Sequence, residues 1–142
     1  MATETAATSV PTRMAPIVTP NTKFFWDAAD RREFVGQKCG GCGRHAFPPR
    51  PMCPHCHSLD RKVVSLSGRG TVLSWTVPRH PPAFGFKEPP IVAVIKLEEG
   101  VNFVSNLVGM GLPDVSIGMP VEVTFEPTLN DHQVPVFKPA AR

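Results

Sequence analysis

Apolar positions along the chain follow two different periods. Over residues 23–35 (KFFWDAADRREFV), Phe24, Phe25, Ala28 and Ala29 share one stripe of a 3.6-residue helix, while Asp27, Asp30 and Arg31 turn towards water. Asn21 or Thr22, just after Pro20, can cap the first free amides, so the pattern predicts a short amphipathic helix ended by Gly36. After Val63 the texture becomes that of strands, with candidates at 69–77, 91–97, 101–108, 121–126 and 134–137. Strong breakers separate them: Ser67-Gly68, the Pro-rich stretch 78–90, Glu98-Glu99-Gly100, and then 109–118 and 127–133. Five strands without room for a long crossover helix predict a small closed antiparallel barrel of the OB type, with a β-sandwich fragment as the rival. Residues 1–20, mostly Ala, Thr and Pro, are expected to form a flexible tail.

Composition supports this picture. The 142 residues include 17 Pro and 11 Gly, with 42% hydrophobic and 19% charged side chains, which suits one domain or one domain with a small appendage. Valine dominates the stiff apolar residues, and β-branched side chains fit a pleated sheet better than a helix. The longest aliphatic run, 91–95, is far short of the roughly 20 residues that a membrane-spanning helix needs. The start, MATETAATSVPTR, has neither a basic-then-apolar signal nor an Arg-rich transit pattern, so the expected location is the cytoplasm.

The formal net charge of +3 is unevenly spread. Residues 38–62 carry five basic and one acidic side chain, whereas residues 63–142 carry six basic and seven acidic ones. Nucleic-acid-binding domains commonly present a broad basic face. Trp75 and Phe103 are the candidate base-stacking platforms for such a role, but the barrel segment that holds them is slightly acidic.

The basic excess surrounds CGGCGRHAFPPRPMCPHC, where Cys39 and Cys42 form one C-x2-C pair and Cys53 and Cys56 a second. A two-residue gap lets both thiolates of one turn face a single ion, and Gly40, Gly41 and Gly43 permit the backbone angles this needs. Four soft thiolates favour one tetrahedral Zn²⁺ in a closed, structural site; a single iron in a rubredoxin-like centre is the alternative. His45, His55 and His57 lie alongside as substitute ligands, although with four cysteines in register they read as surface imidazoles. A thioredoxin-like role lacks its βαβ surroundings.

The order FFWDAADRREFVGQKCGGCGRHAFPPRPMCPHCHSLD, SGRGTVLSWTV, EPPIVAVIKLEEGVNFVSNLVG, IGMPVEVTFE and VPVFKP resembles the DUF35 family over about residues 22–139. The resemblance implies a mainly β protein with a short N-terminal helix, a four-cysteine zinc ribbon and a five-stranded OB-fold barrel. The expected division is a tail at 1–20, the helix at 21–37, the ribbon at 38–60 and the barrel at 61–139. It further implies a non-catalytic accessory subunit of a thiolase-fold acyl-CoA enzyme, a thiolase or aldolase of the lipid-transfer-protein type, in steroid or lipid side-chain degradation. A partner subunit of a MaoC-like enoyl-CoA hydratase is the alternative, and a nucleic-acid-binding ribbon/OB module is the reading from another class.

Motifs of independent catalysis, such as G-x-S-x-G, H-E-x-x-H, a P-loop or G-x-G-x-x-G after a strand, are not found in the sequence, and no catalytic residue is assigned. Gly68-Arg69-Gly70 is better explained as a bend at a strand start than as a phosphate cradle. Glu98 and Glu99 read as solvated turn charges, and His80 and His132 as solvent-facing loop residues. The stretch 78–90 sets Phe84 and Phe86 on a stiff Pro-rich backbone with Arg79 nearby; these aromatics either meet a partner or fold back onto the barrel end. Arg44, Phe47 and Arg50 on the ribbon are candidates to meet a protein surface or a coenzyme A phosphate, and Trp26 on the helix is a candidate for the partner.

Overall fold

The computed structural model describes residues 12–140. Its element order is α1 (Lys23–Asp30), β1 (Val35–Cys39), β2 (His45–Ala46), β3 (Arg61–Ser65), β4 (Arg69–Thr76), β5 (Ile91–Leu97), β6 (Asn102–Leu107), β7 (Pro120–Pro127) and β8 (Gln133–Pro139), with short 3-10 turns at Leu112–Asp114 and Leu129–Asp131. β1, β2 and β3 form one small antiparallel sheet in the order β2-β1-β3. β4 to β8 close into a barrel in the order β4-β5-β6-β8-β7. All five barrel strands fall on the segments that alternation and Val content single out.

Alternation also explains which face is inside. Ile91, Ala93, Ile95 and Leu97 of β5 are all buried, whereas Val92, Val94 and Lys96 point outward. With Val72, Phe103, Val121 and Phe137 they fill the barrel, each large apolar side chain contributing about 1.5–3 kcal/mol of transfer free energy. The barrel closes unevenly: β7 and β8 pair along seven positions, but β6 and β8 meet at the single parallel pair Leu107 and Phe137.

The helix differs from expectation at both ends. It stops at Asp30, and Gly36 lies buried inside β1, where a β-carbon would meet Leu66 at 2.9 Å. Thr22 makes no cap for it; its hydroxyl oxygen accepts the Thr19 amide instead. Eight residues are too few for a helix to persist alone, so α1 depends on what its stripe buries. That stripe delivers Phe25 into a ring cluster with Phe34 (6.4 Å between centroids), Phe47 (5.7 Å) and Phe103 (6.2 Å). Helix, ribbon and barrel thus share one aromatic core.

Of residues 12–20, expected within the flexible tail, Thr12 and Arg13 are instead tied to the barrel and its loops; the rest of that expected tail, residues 1–11, lies outside the described residues. The Leu129 amide donates to the Arg13 carbonyl, and the Thr12 hydroxyl donates to the Gly85 carbonyl at 2.6 Å. Gly85 has φ of +85°, and a β-carbon there would come within 2.5 Å of the Thr12 carbonyl oxygen.

Turn charges are also more engaged than expected. Glu98 pairs with Arg69 at 3.1 Å, and the Glu99 carboxylate accepts the Ser67 amide at 2.8 Å. The Arg69 hydrogen bond holds the Glu98 carboxyl below its ordinary range. Gly68, at φ +74°, leaves no room for a side chain: its β-carbon would lie 2.4 Å from Val123. The Gly68-Arg69-Gly70 bend therefore packs tightly against β7 and starts the barrel. His132 is half-buried, and its Nδ1 lies 3.1 Å from the Asp30 carboxylate, which also accepts the Gln133 amide. It fastens β8 to α1 and is not a free loop residue.

Candidate metal centre and the aromatic cleft

Two turns of the same geometry present the four cysteines. In the first, the Cys39 amide donates to the Arg44 carbonyl and the Gly43 amide to the Cys39 carbonyl. In the second, the Cys53 amide donates to the Ser58 carbonyl and the His57 amide to the Cys53 carbonyl. The fifth residue of each turn is left-handed, Gly43 at φ +76° and His57 at φ +64°. Matching amides point at sulfur: Gly41 N–H on Cys39 Sγ at 3.3 Å and His55 N–H on Cys53 Sγ at 3.4 Å.

The sulfurs converge. All four lie within 4.8 Å of one another, with Cys39 and Cys56 at 3.5 Å and Cys42 and Cys53 at 3.7 Å. These separations exclude disulfides, whose bond is about 2.05 Å. They match the edge of a tetrahedron around an ion bound at about 2.3 Å, which works out at about 3.8 Å. The donor set therefore fits a metal ion held by Cys39, Cys42, Cys53 and Cys56 with every tetrahedral position filled. None of the neighbouring histidines belongs to the set; His55 instead lies 3.0 Å from the Arg44 guanidinium.

Amide hydrogen bonds favour thiolates on the buried pair, Cys39 and Cys53. The amide of Cys42, then that of Gly41, hold Cys39 down at about 6 despite its burial. The Cys56 amide, then that of His55, lower Cys53 in the same way. Cys56 is pushed up to about 11: the Ser58 amide works to lower it, but the Cys39 thiol, burial and the other two sulfurs outweigh that. Four thiolates around a divalent ion sum to −2, and the basic excess of the ribbon offsets this. Arg61 lies opposite Cys39 in the β1–β3 register, donates to Gln37 and to the Arg50 carbonyl, and has no carboxylate within 4 Å among the described residues.

The candidate contact residues fall into separate places. Trp26, Phe84 and Phe86 come together around an open cleft of about 460 Å³ beside β5 and β6. Phe84 is 76% exposed, whereas Phe86 is half-buried under the Arg13 guanidinium, 4.8 Å from its centroid. Arg13 itself was not legible as a site residue. It lies in the segment expected to be flexible, yet it donates to Asn106 at 2.5 Å and pairs with Glu126 at 2.9 Å. Phe47 turns inward onto Phe103 at 4.6 Å, while Arg50 stays exposed beside it. Arg44 is exposed on the ribbon, and Arg79 lies in a different hollow, next to Glu88 and Leu112. Phe103, only 5% exposed, is part of the core and offers no stacking platform to a nucleic acid.

A four-thiolate ribbon joined through a shared core to a closed five-stranded barrel defines a ribbon-plus-OB-fold protein. The family model described as the ChsH2 rubredoxin-like zinc ribbon domain matches residues 26–60, and that described as the ChsH2 C-terminal OB-fold domain matches residues 63–126. A DUF35 domain-containing scaffold protein of Pyrococcus furiosus is 35% identical over 72% of this chain and 75% of its own length. The chain belongs to the DUF35 family.

A solved structure described as the Ltp2-ChsH2(DUF35) aldolase contains a chain that is 38% identical to this one and superposes with a TM-score of 0.83, covering 89% of this chain and all of that one. Two longer relatives also match. A probable enoyl-CoA hydratase alpha subunit of Thermomonospora curvata is 39% identical over 90% of this chain and 40% of its own. A 3-oxo-4,17-pregnadiene-20-carboxyl-CoA hydratase alpha subunit of Mycobacterium tuberculosis is 38% identical over 79% of this chain and 36% of its own. The chain thus spans less than half the length of these two relatives. No described helix is long and apolar enough to cross a membrane.

Proposed function

We propose that this chain is a non-catalytic accessory subunit of a thiolase-fold acyl-CoA enzyme, an aldolase or thiolase that shortens steroid or lipid side chains in the cytoplasm. The observation that carries this reading is the likeness, over 89% of this chain, to a chain of the Ltp2-ChsH2(DUF35) aldolase. In this reading the ribbon, residues 38–60, holds one structural Zn²⁺ on Cys39, Cys42, Cys53 and Cys56, which fixes the two turns and has no open position for a substrate. The OB-fold barrel, which begins at β4 because Arg61–Ser65 pairs with β1 in the ribbon sheet, presents the partner face, with Phe84 on its stiff loop and Trp26 beside it.

A MaoC-like hydratase as partner is the second reading, favoured by the two longer relatives named as hydratase alpha subunits. Co-expression distinguishes the two. Produced with a thiolase-like protein encoded nearby, the chain should co-elute as one complex whose turnover falls when the chain is omitted. Separate elution with unchanged turnover refutes the first reading, and a stable complex with a hydratase instead establishes the second.

A further inference from the structure

The ribbon sheet has an open side. In the order β2-β1-β3 the strand β3 pairs only with β1, so its other edge is unpaired. The Gly40 amide donates to the Asp60 carbonyl and the Leu66 amide to the Phe34 carbonyl, which places the hydrogen-bonded rungs of the β1–β3 ladder at the even-numbered residues of β3. The amides and carbonyls of Arg61, Val63 and Ser65 therefore point outward, and none of them bonds to another described backbone group. Val63 is 56% exposed in the middle of this edge, and Leu59, 70% exposed, lies just ahead of it.

Charge on one face of the sheet selects the occupant. Residues directly opposite on neighbouring strands share a face, so the pairing of Lys38 with Lys62 on one side and His45 on the other sets three basic side chains in one row. Lys38 and Lys62 are exposed, a facing like-charge pair that costs stability, and neither has a carboxylate within 4 Å among the described residues. A fourth strand laid on β3 adds the next position of that row, beside Lys62, where an acidic side chain relieves the repulsion. A second copy of the ribbon would bring its own basic excess, and a lysine on an edge strand opposes such self-pairing. A nucleic acid gains no stacking ring from Phe47, which turns inward. We propose that β3 is a docking edge: an extended acidic segment of a partner protein adds to it as a fourth strand of the ribbon sheet, its acids beside Lys62 and its apolar residues beside Val63. This edge shares no residue with the aromatic cleft and does not depend on which enzyme the chain serves.

The test titrates the isotope-labelled, metal-loaded chain with a terminally blocked peptide that alternates Glu and Val, and with its Gln-Val and Lys-Val counterparts, following backbone amide signals. The Glu-Val peptide should give saturable shifts centred on β3 and slow the hydrogen exchange of the Val63 and Ser65 amides. The Gln-Val peptide should bind more weakly and the Lys-Val peptide not at all. Lys62→Glu should weaken the Glu-Val peptide about tenfold and admit the Lys-Val one. Val63→Pro removes an outward amide without breaking a bond to β1, so the metal content should persist while peptide binding is lost. Should that variant lose its metal, the charge swap at Lys62 decides alone.

Silence with all three peptides, shifts away from β3, or equal binding of the Glu-Val and Lys-Val peptides overturns the inference. So does a dimer of this chain in sedimentation that Val63→Pro dissociates, since a second copy then fills the edge. Displacement of the Glu-Val peptide from the same amides by an oligothymidylate overturns it as well, because the row of basic side chains then serves a nucleic acid. Peptide pairing on β3 by a chain that joins no acyl-CoA enzyme leaves the docking edge standing and refutes the function proposed for the chain.

Discussion

Phe47 and Phe103 lie 4.6 Å apart, one from the ribbon just after β2, between the two cysteine pairs, and one from β6 of the barrel. Through them the ion site and the cleft share a wall of rings, because Phe103 also lines the cleft and packs on Phe25, Phe34 and Phe137. Phe47→Ala should therefore cost about 3 kcal/mol of stability, at the low end for removal of a core ring because Phe47 is only half-buried. Chemical denaturation checks this, and retention of the metal by the variant would show that the loss comes from the shared core.

Removing one thiolate should empty the ribbon. Cys39→Ser is expected to lower bound metal from about one ion per chain to near zero and to unfold residues 38–60, since the small sheet there buries little else. Elemental analysis gives the metal content, and amide spectra show whether the barrel signals survive.

Acid should release the ion in a definite window. Cys39 is lowered in the folded chain to about 6 from an ordinary 9, so the stability it contributes is complete above about 9 and is lost as pH falls through about 6. Cys53 shifts in the same direction and acts with it, whereas Cys56, pushed up to about 11, opposes them until an ion is bound. A bound ion holds the thiolates further down, so release monitored with a chromogenic chelator should be absent at pH 8 and should set in only below about pH 6.

Arg13→Ala should loosen the Pro-rich loop without unfolding the barrel. It removes two hydrogen bonds and the contact with Phe86, a loss of about 1–3 kcal/mol shared between the segment around Arg13 and the loop. Trypsin should then cut faster after Arg79 and Lys87. Arg13→Lys should rescue little, because an ammonium cannot make the same forked contact.

Gly68→Ala combines a left-handed backbone with a β-carbon 2.4 Å from Val123, so it should destabilise the chain by about 2 kcal/mol or more. Gly100→Ala is the control: φ there is also positive, at +88°, but nothing lies within 4 Å, so thermal unfolding should show a smaller loss.

The ligand set and the barrel strands were legible because each rests on local spacing. C-x2-C fixes two sulfurs on one turn, and Val-rich alternation fixes the inner face of β5. The ribbon strands were not, since VGQKC and RKVVS carry Gly, Gln and Lys at positions that only their mutual pairing makes strand-like. The anchoring of residues 12–13 escaped for a related reason: Thr12 and Arg13 make their contacts with residues 73 to 113 positions away, and no local pattern announces them. Phe47 and Phe103 read as surface candidates because an aromatic next to prolines or valines looks the same whether it faces a partner or the core.

The rings of the shared core are far apart in the chain: Phe25, Phe34 and Phe47 come early, Phe103 and Phe137 late. During synthesis the first three emerge well before the strand that carries Phe137, at a time when they have no barrel to pack on. A ribbon that captures its ion early can close its own turns without waiting for the rest, leaving fewer loose segments to be ordered when β8 arrives. Metal supply would then act on the yield of folded chain during translation, beyond its effect on the stability of the finished molecule.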